Sequence, residues 1–320
     1  MYKYYLYRLA LSLAPALPRP LCYRLARGIG RLLSGLPTAR RRAVLANLAA
    51  VYGTGTADRE VRRDCRRSFE HAMLNYADLF RLGTPDSVAL VRDLRPAGLE
   101  HLAEAVRGGK GAILVGAHLG NYDTLVQVLA RDGYKVLIPV EPIEPPALLA
   151  LVRGQRAALG TDFEPIGPLL LRRMSDHLRA GNVVVVLCDR DVQGTGQPVR
   201  FFGHTVAMPA AAVLLALRTG APVLGASGAR LPDNRIVGWI TPPPRIWEQR
   251  APQTLRERIQ SGMDAIAALL EAQIGRDPGQ WVVQQPVFAP PVPRLAAAPS
   301  LGSARSTPAA AARSALGAPR

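Results

Sequence analysis

GAILVGAHLGNYD, residues 111–123, holds the pattern that decides the fold: an apolar run, a turn flanked by glycines, and the start of a helix. Similar apolar runs occur at 134–140, 183–189, 222–229 and 235–240. Between them lie stretches typical of helices, near residues 121–132, 145–159, 168–180 and 208–219. Because apolar strands that alternate with helices form α/β domains, we predict a mixed, mostly parallel sheet flanked by helices.

The segments around this alternation predict how the chain is divided. The flanking elements are helices at 38–52, 58–81 and 253–274 and a final strand at 281–288. We therefore predict one domain over residues 36–288. The tail at 289–320 is rich in Ala, Pro and Ser and has no aromatic residue, so we expect it to be disordered.

The first 35 residues have the composition of a segment that lies in a membrane surface. The uncharged stretch between Arg8 and Arg19 is about half as long as a spanning helix requires. Beyond it, apolar residues share one helical face and arginines another: Leu21, Leu25, Ile29 and Leu32 against Arg24, Arg27 and Arg31. We predict that residues 1–35 are an amphipathic membrane anchor. A signal peptide and a packed pair of helices are the alternatives.

The formal net charge of +16 is concentrated at the two ends of the chain. Residues 1–80 hold 14 Lys or Arg residues against 5 Asp or Glu residues, and the tail holds four Arg residues and no acid. Such basic ends favour an anionic membrane surface, although an acidic protein or a nucleic acid would also match the charge. The three cysteines are far apart, so we expect a reducing compartment and no metal site.

His118 and Asp123 form the candidate catalytic pair. His118 directly follows the first apolar run, and ligands of open α/β sheets bind at the carboxyl ends of strands. We expect the Asp123 carboxylate, in the first turn of the next helix, to reach one ring nitrogen of His118. The other nitrogen could then take a proton from a hydroxyl that attacks a thioester. Gly116 and Gly120 would let substrate approach the backbone, whose N–H groups could bind the oxyanion.

A structural interpretation of the same turn stays open at this point. Asn121 could cap the helix while Asp123 complements the helix dipole. A second polar cluster, Asp189-Arg190-Asp191, follows the apolar run at 183–189 and should lie at the same edge of the sheet. It is either a functional cluster or an ion-paired loop, and its arginine would suit a phosphate.

The motif His118-x4-Asp123 after a strand resembles that of the glycerolipid-type acyltransferase superfamily. Its surroundings are similar to one branch, the lipid A biosynthesis acyltransferases and the bacterial phosphatidylinositol mannoside acyltransferases. The similar stretches are VEP at 140–142, CDRD at 188–191, FFGH at 201–204 and MPA at 208–210, with NL at 47–48, SF at 68–69 and NY at 75–76. The resemblance covers about residues 1–288.

The resemblance implies a fold like that of the glycerolipid acyltransferases and an O-acyltransferase that uses acyl-CoA or acyl carrier protein as donor, with no other cofactor. The implied acceptor is a hydroxyl of a membrane lipid or glycolipid, such as a lysophospholipid or a phosphatidylinositol mannoside. The implied location is peripheral, on the cytoplasmic face of the plasma membrane. An aspartate at position 123 favours the mannoside enzymes over the lipid A enzymes.

The resemblance also implies roles for particular side chains. His118 becomes the general base and Asp123 its partner, while Glu141 and Arg156 line the site. The further candidates for substrate binding are Gly116, Asn121, Asp189, Arg190 and Asp191. The branch commonly has an acidic residue where this chain has His204, so the role of that loop is not predicted.

Other classes of protein match less of the sequence. A Ser-His-Asp hydrolase needs a G-x-S-x-G elbow, and a dinucleotide enzyme needs G-x-G-x-x-G after its first strand. Neither pattern occurs at the required place. Aromatic residues make up 6% of the chain and do not alternate with basic residues, which disfavours a nucleic-acid partner. The remaining alternatives are a lipid A-type acyltransferase and a non-catalytic scaffold at the membrane surface. We expect a monomer.

Overall fold

The computed structural model describes residues 2–141, 145–157, 161–242 and 254–288. The tail that we predict to be disordered lies outside these residues. The helices are α1 Tyr2–Ala16, α2 Arg19–Gly35, α3 Ala39–Tyr52, α4 Arg59–Phe80, α5 Pro85–Asp93, α6 Leu99–Arg107, α7 Tyr122–Arg131, α8 Pro146–Ala157, α9 Leu170–Arg179, α10 Ala211–Thr219 and α11 Leu255–Arg276. The strands are β1 Ala112–Gly116, β2 Val136–Val140, β3 Thr161–Pro165, β4 Val183–Leu187, β5 Gln197–Phe201, β6 His204–Met208, β7 Val223–Arg230 and β8 Ile236–Thr241.

Six strands form the central sheet, in the order β3-β2-β4-β1-β7-β8. All neighbours are parallel except β7 and β8, which are antiparallel. This confirms the predicted mixed, mostly parallel sheet. Every residue of β1 is buried, as expected of a central strand that is covered on both faces.

The two faces of the sheet have separate cores, because successive side chains of a strand point to opposite faces. Ile113 of β1 packs in one core with Leu215 of α10 and Ile266 of α11. Leu114 packs in the other core, with residues that include Leu102 of α6. The helices therefore lie on both faces of β1 and leave only the ends of the strand for a site.

The long helix α4 organises the part of the chain before the sheet. Its first turn is capped by Asp58, whose Oδ1 accepts hydrogen bonds from Glu60 N at 2.7 Å and Val61 N at 3.3 Å. A Cβ on Gly30 of α2 would lie 2.6 Å from the Glu70 Cα, so α2 and α4 pack in close contact. None of the described helices has both the length and the apolar character needed to cross a membrane.

The predicted final strand at 281–288 is wrong. A short 3-10 helix, Pro278–Gln280, leads into Trp281, which forms an isolated bridge to Leu119, and the residues after it join no strand. Instead, Asn47 holds this segment by accepting from Val287 N at 3.0 Å and donating to Gln285 O at 2.8 Å. The apolar residues at 281, 283 and 287 face the core, which explains why their spacing resembled a strand.

Three strands were not predicted. β3 is short and contains Asp162 and Glu164, so it lacks the apolar run by which the other strands were found. β5 and β6 form a separate hairpin around Phe202 and Gly203, both with positive φ.

Candidate active site

β1 and β4 end side by side, which brings two distant residues together. In the parallel register, Gly116 lies opposite Leu187. Cys188 N donates to Gly116 O at 2.9 Å, so the pairing continues past the ends of the strands. His118 and Asp189 each lie two residues beyond the paired positions. They therefore meet at the carboxyl edge of the sheet, where ligands of α/β folds bind.

Asp189 holds His118 through both of its carboxylate oxygens. The His118 ring Nδ1 donates to Asp189 Oδ1 at 2.7 Å, and the His118 backbone N–H donates to Oδ2 at 2.8 Å. The indole Nε1–H of Trp281 donates to the same Oδ2 at 2.7 Å. These three hydrogen bonds fix the carboxylate, and through it the orientation of the ring.

The environment of Asp189 determines the protonation of the pair. Asp189 is completely buried, which by itself raises the pKa of a carboxyl group. The neighbouring His118 ring and the hydrogen bonds from His118 and Trp281 outweigh burial and hold the pKa of Asp189 below its usual range. Because an ionised carboxylate only accepts hydrogen bonds, Nδ1 carries the ring proton. Nε2 is then the basic nitrogen, as a general base requires.

His118 lines a cavity of about 350 Å³. Its side chain is 20% exposed, whereas Asp189 behind it is not exposed at all. The apolar wall comes mainly from the strand ends and includes Ile138, Val140, Phe163, Val185 and Leu187. The polar wall includes Arg40, Asn75, Asp123, Glu141, Arg190, Gln284 and Gln285. A cavity with both kinds of wall suits an amphiphilic ligand.

A smaller apolar pocket of about 60 Å³ adjoins this cavity. The two share Tyr122, Val126, Val185 and Leu187 as walls. The other side of the smaller pocket is formed by residues that include Gly228 and Trp239. The smaller pocket therefore lies between these shared residues and the strands β7 and β8.

Glu141 and Arg190, both predicted from the sequence, come together in the cavity wall. Arg190 Nη2 donates to Glu141 Oε2 at 2.7 Å, and both side chains retain some exposure. Because the guanidinium has five N–H donors, it can bind Glu141 and still donate to a ligand in the cavity. Residue 156 lies in α8, but the side chain of Arg156 is outside the described part of the structure.

Asp123 lies in the wall of the same cavity, buried in the first turn of α7. The sequence predicted that its carboxylate would orient the His118 ring, yet the structure gives the contact with Nδ1 to Asp189. The reason is the sheet register, which sets the end of β4 directly beside His118. The partner of the His118 ring is therefore Asp189, and Asp123 lies near it in the cavity wall.

The two glycines of this turn pack closely against β7. A Cβ on Gly116 would lie 2.4 Å from Ala226 O. Gly120 has φ +62°, and a Cβ there would lie 2.3 Å from Gly228 O. These glycines thus permit a close approach between backbones, and because Gly116 also lines the smaller pocket, its contact with substrate stays a prediction.

Three residues predicted to bind substrate have other contacts. Asn121 is fully buried and caps α7, accepting from Thr124 N at 3.1 Å. Asp191 accepts from the backbone N–H groups of Gln193 and Gly196 at 3.1 and 2.6 Å, so it orders its own loop. Asp189 is sealed behind His118 and reaches a substrate only through the ring. Burial keeps Asn121 and Asp189 from direct contact with a substrate, whereas the assignment of Asp191 stays a prediction.

The backbone donors proposed for an oxyanion are partly occupied. His118 N donates to Asp189, Leu119 N to Ala117 O, and Gly120 N to Gln280 O. An oxyanion could take these donors only if the native hydrogen bonds broke. The Arg190 guanidinium in the cavity wall is a further donor for that charge.

Trp281 contacts the candidate site, and the sequence did not predict this. It lies 92 residues beyond Asp189 and is buried, and Ser68 Oγ donates to its carbonyl oxygen at 2.6 Å. The next residue also supports the site, because Val282 N donates to His118 O at 2.9 Å. The tryptophan in an alternating apolar segment was the available signal, and it was interpreted as part of a strand.

Comparison of the sequence with known proteins identifies acyltransferases as its relatives. The family profile described as bacterial lipid A biosynthesis acyltransferase matches residues 1–289. A phosphatidylinositol mannoside acyltransferase of Mycobacterium tuberculosis is 32% identical over 185 residues, which are 56% of this chain and 58% of the relative. A protein of the same name from Mycolicibacterium smegmatis is 30% identical over 183 residues, covering 55% and 58%. The chain thus spans less than two thirds of the length of these curated relatives.

Proposed function

The chain belongs to the bacterial lipid A biosynthesis acyltransferase family, and on this basis we propose that it transfers a fatty acyl group to a hydroxyl of a mannosylated phosphatidylinositol. The observation that carries the proposal is the His118 ring, held by Asp189, in a cavity with apolar and charged walls. The names of the relatives support the acceptor class. The donor is a fatty acyl thioester of coenzyme A or of acyl carrier protein.

In the proposed reaction His118 is the general base. Nε2 takes the proton of the acceptor hydroxyl while that oxygen attacks the carbonyl carbon of the thioester, a step in which such a base contributes about 10²- to 10⁴-fold. The Asp189 carboxylate stabilises the imidazolium that forms, without itself taking the proton. The tetrahedral intermediate then loses its C–S bond, and Nε2 returns the proton to the thiolate. The products are an ester and a free thiol.

The reaction needs no covalent intermediate on the protein. Cys188 is the thiol next to the site, and burial together with the adjacent Asp189 raises its pKa, so it stays protonated. A buried, protonated thiol is a poor nucleophile. Direct attack by the acceptor hydroxyl therefore fits the site better than a two-step transfer through an acyl-cysteine.

The walls of the cavity support an amphiphilic pair of substrates. The acyl chain of the donor would lie along the apolar wall and toward the smaller pocket past Leu187. The polar wall, with Arg190 and Glu141, would bind the mannose hydroxyls and the phosphate of the acceptor. Asp123, beside His118, would orient the attacking hydroxyl.

The first two helices would dock the protein on an anionic membrane, on the cytoplasmic face. Most of the large apolar side chains that are exposed among the described residues lie between residues 5 and 36, with Leu32 at 67%. Basic side chains border them on α2, which suits a lipid surface. Leu32→Asp should weaken sedimentation with anionic vesicles. Leu255→Asp, at a comparably exposed position on α11, is the matched control and should not.

The test of the reaction is acyl transfer by the purified full chain. Radiolabelled palmitoyl-CoA and palmitoyl acyl carrier protein are each offered with phosphatidylinositol mannosides, lysophospholipids or a lipid A precursor. We expect label on the mannosides with wild type and none with His118→Gln.

Three outcomes would overturn parts of the proposal. Label on the lipid A precursor alone would replace the acceptor. Thioester cleavage that requires His118 but labels none of the lipids would indicate a thioesterase. No turnover of either donor would favour the non-catalytic scaffold.

A further inference from the structure

A buried polar cluster lies beneath the turn that carries His118. Its centre is Asp78 of α4, which is 6% exposed. Asp78 Oδ2 accepts from Asn121 Nδ2 at 2.6 Å and also from Arg230 Nη2. Asp78 Oδ1 accepts from the Tyr23 hydroxyl. The Asp78 carboxylate of α4 therefore binds α2, the end of β7 and Asn121, which is the N-cap residue of α7.

The charges of this cluster compensate each other inside the protein. Burial opposes the charged form of Arg230, yet the adjacent Asp78 carboxylate holds the pKa of Arg230 above its usual value. A buried ion pair whose carboxylate oxygens both accept hydrogen bonds is rigid, because any movement would leave a charge unpaired. The cluster is therefore suited to holding a neighbouring segment in one position.

The segment that the cluster holds is the turn of the proposed base. The side-chain amide N–H of Asn121 donates to Asp78, and its amide oxygen accepts a hydrogen bond from the Thr124 N–H in the first turn of α7. One turn earlier on α4, Asn75 Nδ2 donates to Gly120 O at 2.6 Å. Asn75 and Asp78 of α4 thus form hydrogen bonds with Gly120 and Asn121, the two residues between Leu119 and α7.

The cluster also connects this turn with α2. Tyr23 is buried and reaches Asp78 from one side of α2. Leu21, Leu25 and Ile29 are exposed on the same helix. A chain of two hydrogen bonds, from Tyr23 through Asp78 to Asn121, therefore runs from the helix that we expect at the membrane to the turn of His118.

We propose that Asp78 is a positioning residue for acyl transfer, which orients the His118 turn through Asn121 and is itself oriented by Tyr23. This inference rests on the proposed function of His118. Asp78 does not touch the reacting atoms, so its effect should appear in kcat and not in KM. Loss of one link should lower kcat about tenfold, the scale of effect expected from small displacements of a reacting group.

The same helix provides a matched control. Asp64 of α4 is also buried, and its Oδ2 accepts from the Tyr52 hydroxyl at 2.5 Å. The Asp64 carboxylate also accepts hydrogen bonds from Arg63 and Arg67. Among the described contacts of Asp64, none reaches residues 117–121. Tyr52→Phe therefore removes the same type of bond as Tyr23→Phe without touching the His118 turn.

The experiment compares Tyr23→Phe, Asn121→Ser, their double variant and Tyr52→Phe. Serine keeps a capping oxygen for α7 but cannot donate an amide N–H to Asp78 in the same way. For each full-length variant we would measure kcat, KM for both substrates and thermal unfolding. We expect both tyrosine variants to lose similar stability, while only Tyr23→Phe and Asn121→Ser lower kcat. The double variant should lose less than the product of the single losses, since both break one chain.

A second readout keeps the inference separate from the proposed function. If wild type transfers no acyl group, the proposed function fails. The chemical shifts of the His118 ring nitrogens can still be measured by ¹⁵N NMR, and they report the environment of the ring. We expect Tyr23→Phe and Asn121→Ser to shift these resonances and Tyr52→Phe to leave them unchanged. Three results would each overturn the inference. The two tyrosine variants could lose equal kcat, or Tyr23→Phe could leave kcat unchanged. The third result is that Asn121→Ser leaves the His118 resonances unchanged.

Discussion

Two acids stand beside the proposed base, and their surroundings differ. Asp123 belongs to the first turn of α7 and lines the cavity, where a ligand can reach it. Asp189 belongs to the end of β4 and is sealed behind the His118 ring by Trp281. The difference predicts two tasks: Asp189 acts through His118, and Asp123 acts on a substrate. Each substitution below tests whether the tasks are divided in this way.

Asp189→Asn should give the largest loss among the acids. The amide cannot accept at both oxygen positions, and it favours the wrong ring tautomer. We expect kcat to fall about 10³- to 10⁴-fold, as when the acid of a Ser-His-Asp triad is replaced by its amide. The measurement is kcat of the purified variant, with far-UV circular dichroism as the check on folding. A loss below tenfold would mean that Asp189 is not the acid that supports the base.

Asp123→Asn should have a smaller effect. The side chain keeps its size and loses its charge, so kcat/KM should fall about 10- to 100-fold. The KM for the acceptor should rise while that for the donor changes little, because Asp123 is placed to face the hydroxyl. A loss greater than that of Asp189→Asn would reverse the comparison and make Asp123 the primary partner.

Trp281→Phe should weaken the support behind Asp189 without removing it. The carboxylate loses one donor but keeps both donors of His118. We expect a cost of about 2–3 kcal/mol in the free energy of unfolding, since a buried acceptor loses a charge-assisted hydrogen bond. The measurement is urea denaturation beside Trp239→Phe, a tryptophan of β8 that does not contact Asp189. Equal costs in the two variants would contradict the assigned role of the indole.

The pH dependence of stability should give the smallest effect. The pKa of Asp189 is lowered in the folded state, so its stabilisation is complete above the unfolded pKa, near 3.9, and is lost as pH falls toward the folded pKa. The difference in unfolding free energy between wild type and Asp189→Asn should therefore be constant from about pH 5 to 7 and shrink below about pH 4. Urea titrations across this range measure it. A difference that grows on acidification would mean that Asp189 is protonated in the native state.

Much of the framework was predictable from local patterns. The apolar runs identified β1, β2, β4, β7 and β8, because strands buried on both faces have few polar residues. The helices between them were found for the same reason, from their spacing and from glycine and proline breaks. The sequence did not predict β3, β5 and β6. These strands contain charged residues or face solvent, so they lack the apolar runs by which a strand is recognised.

The site was only partly predictable. A histidine at the end of the central strand indicated where chemistry would occur, and Asp123 lay close enough in sequence to be noticed. Asp78 and Trp281 could not be associated with that turn, because the sequence around each of them contains no pattern that indicates a contact with residues 117–121. Their roles depend on helix packing and on a returning segment at the end of the domain.

The sequence by itself determined the class of fold, the strand that carries His118 and the family of the chain, since each depends on residues that are neighbours along the chain. The tertiary structure alone decided which acid holds the base. Asp189 meets His118 across 71 residues, because three helical crossovers lead from β1 to β4 and set β4 beside β1 with Gly116 opposite Leu187. Strand order depends on how the helices pack on the sheet, and that is a property of the whole domain.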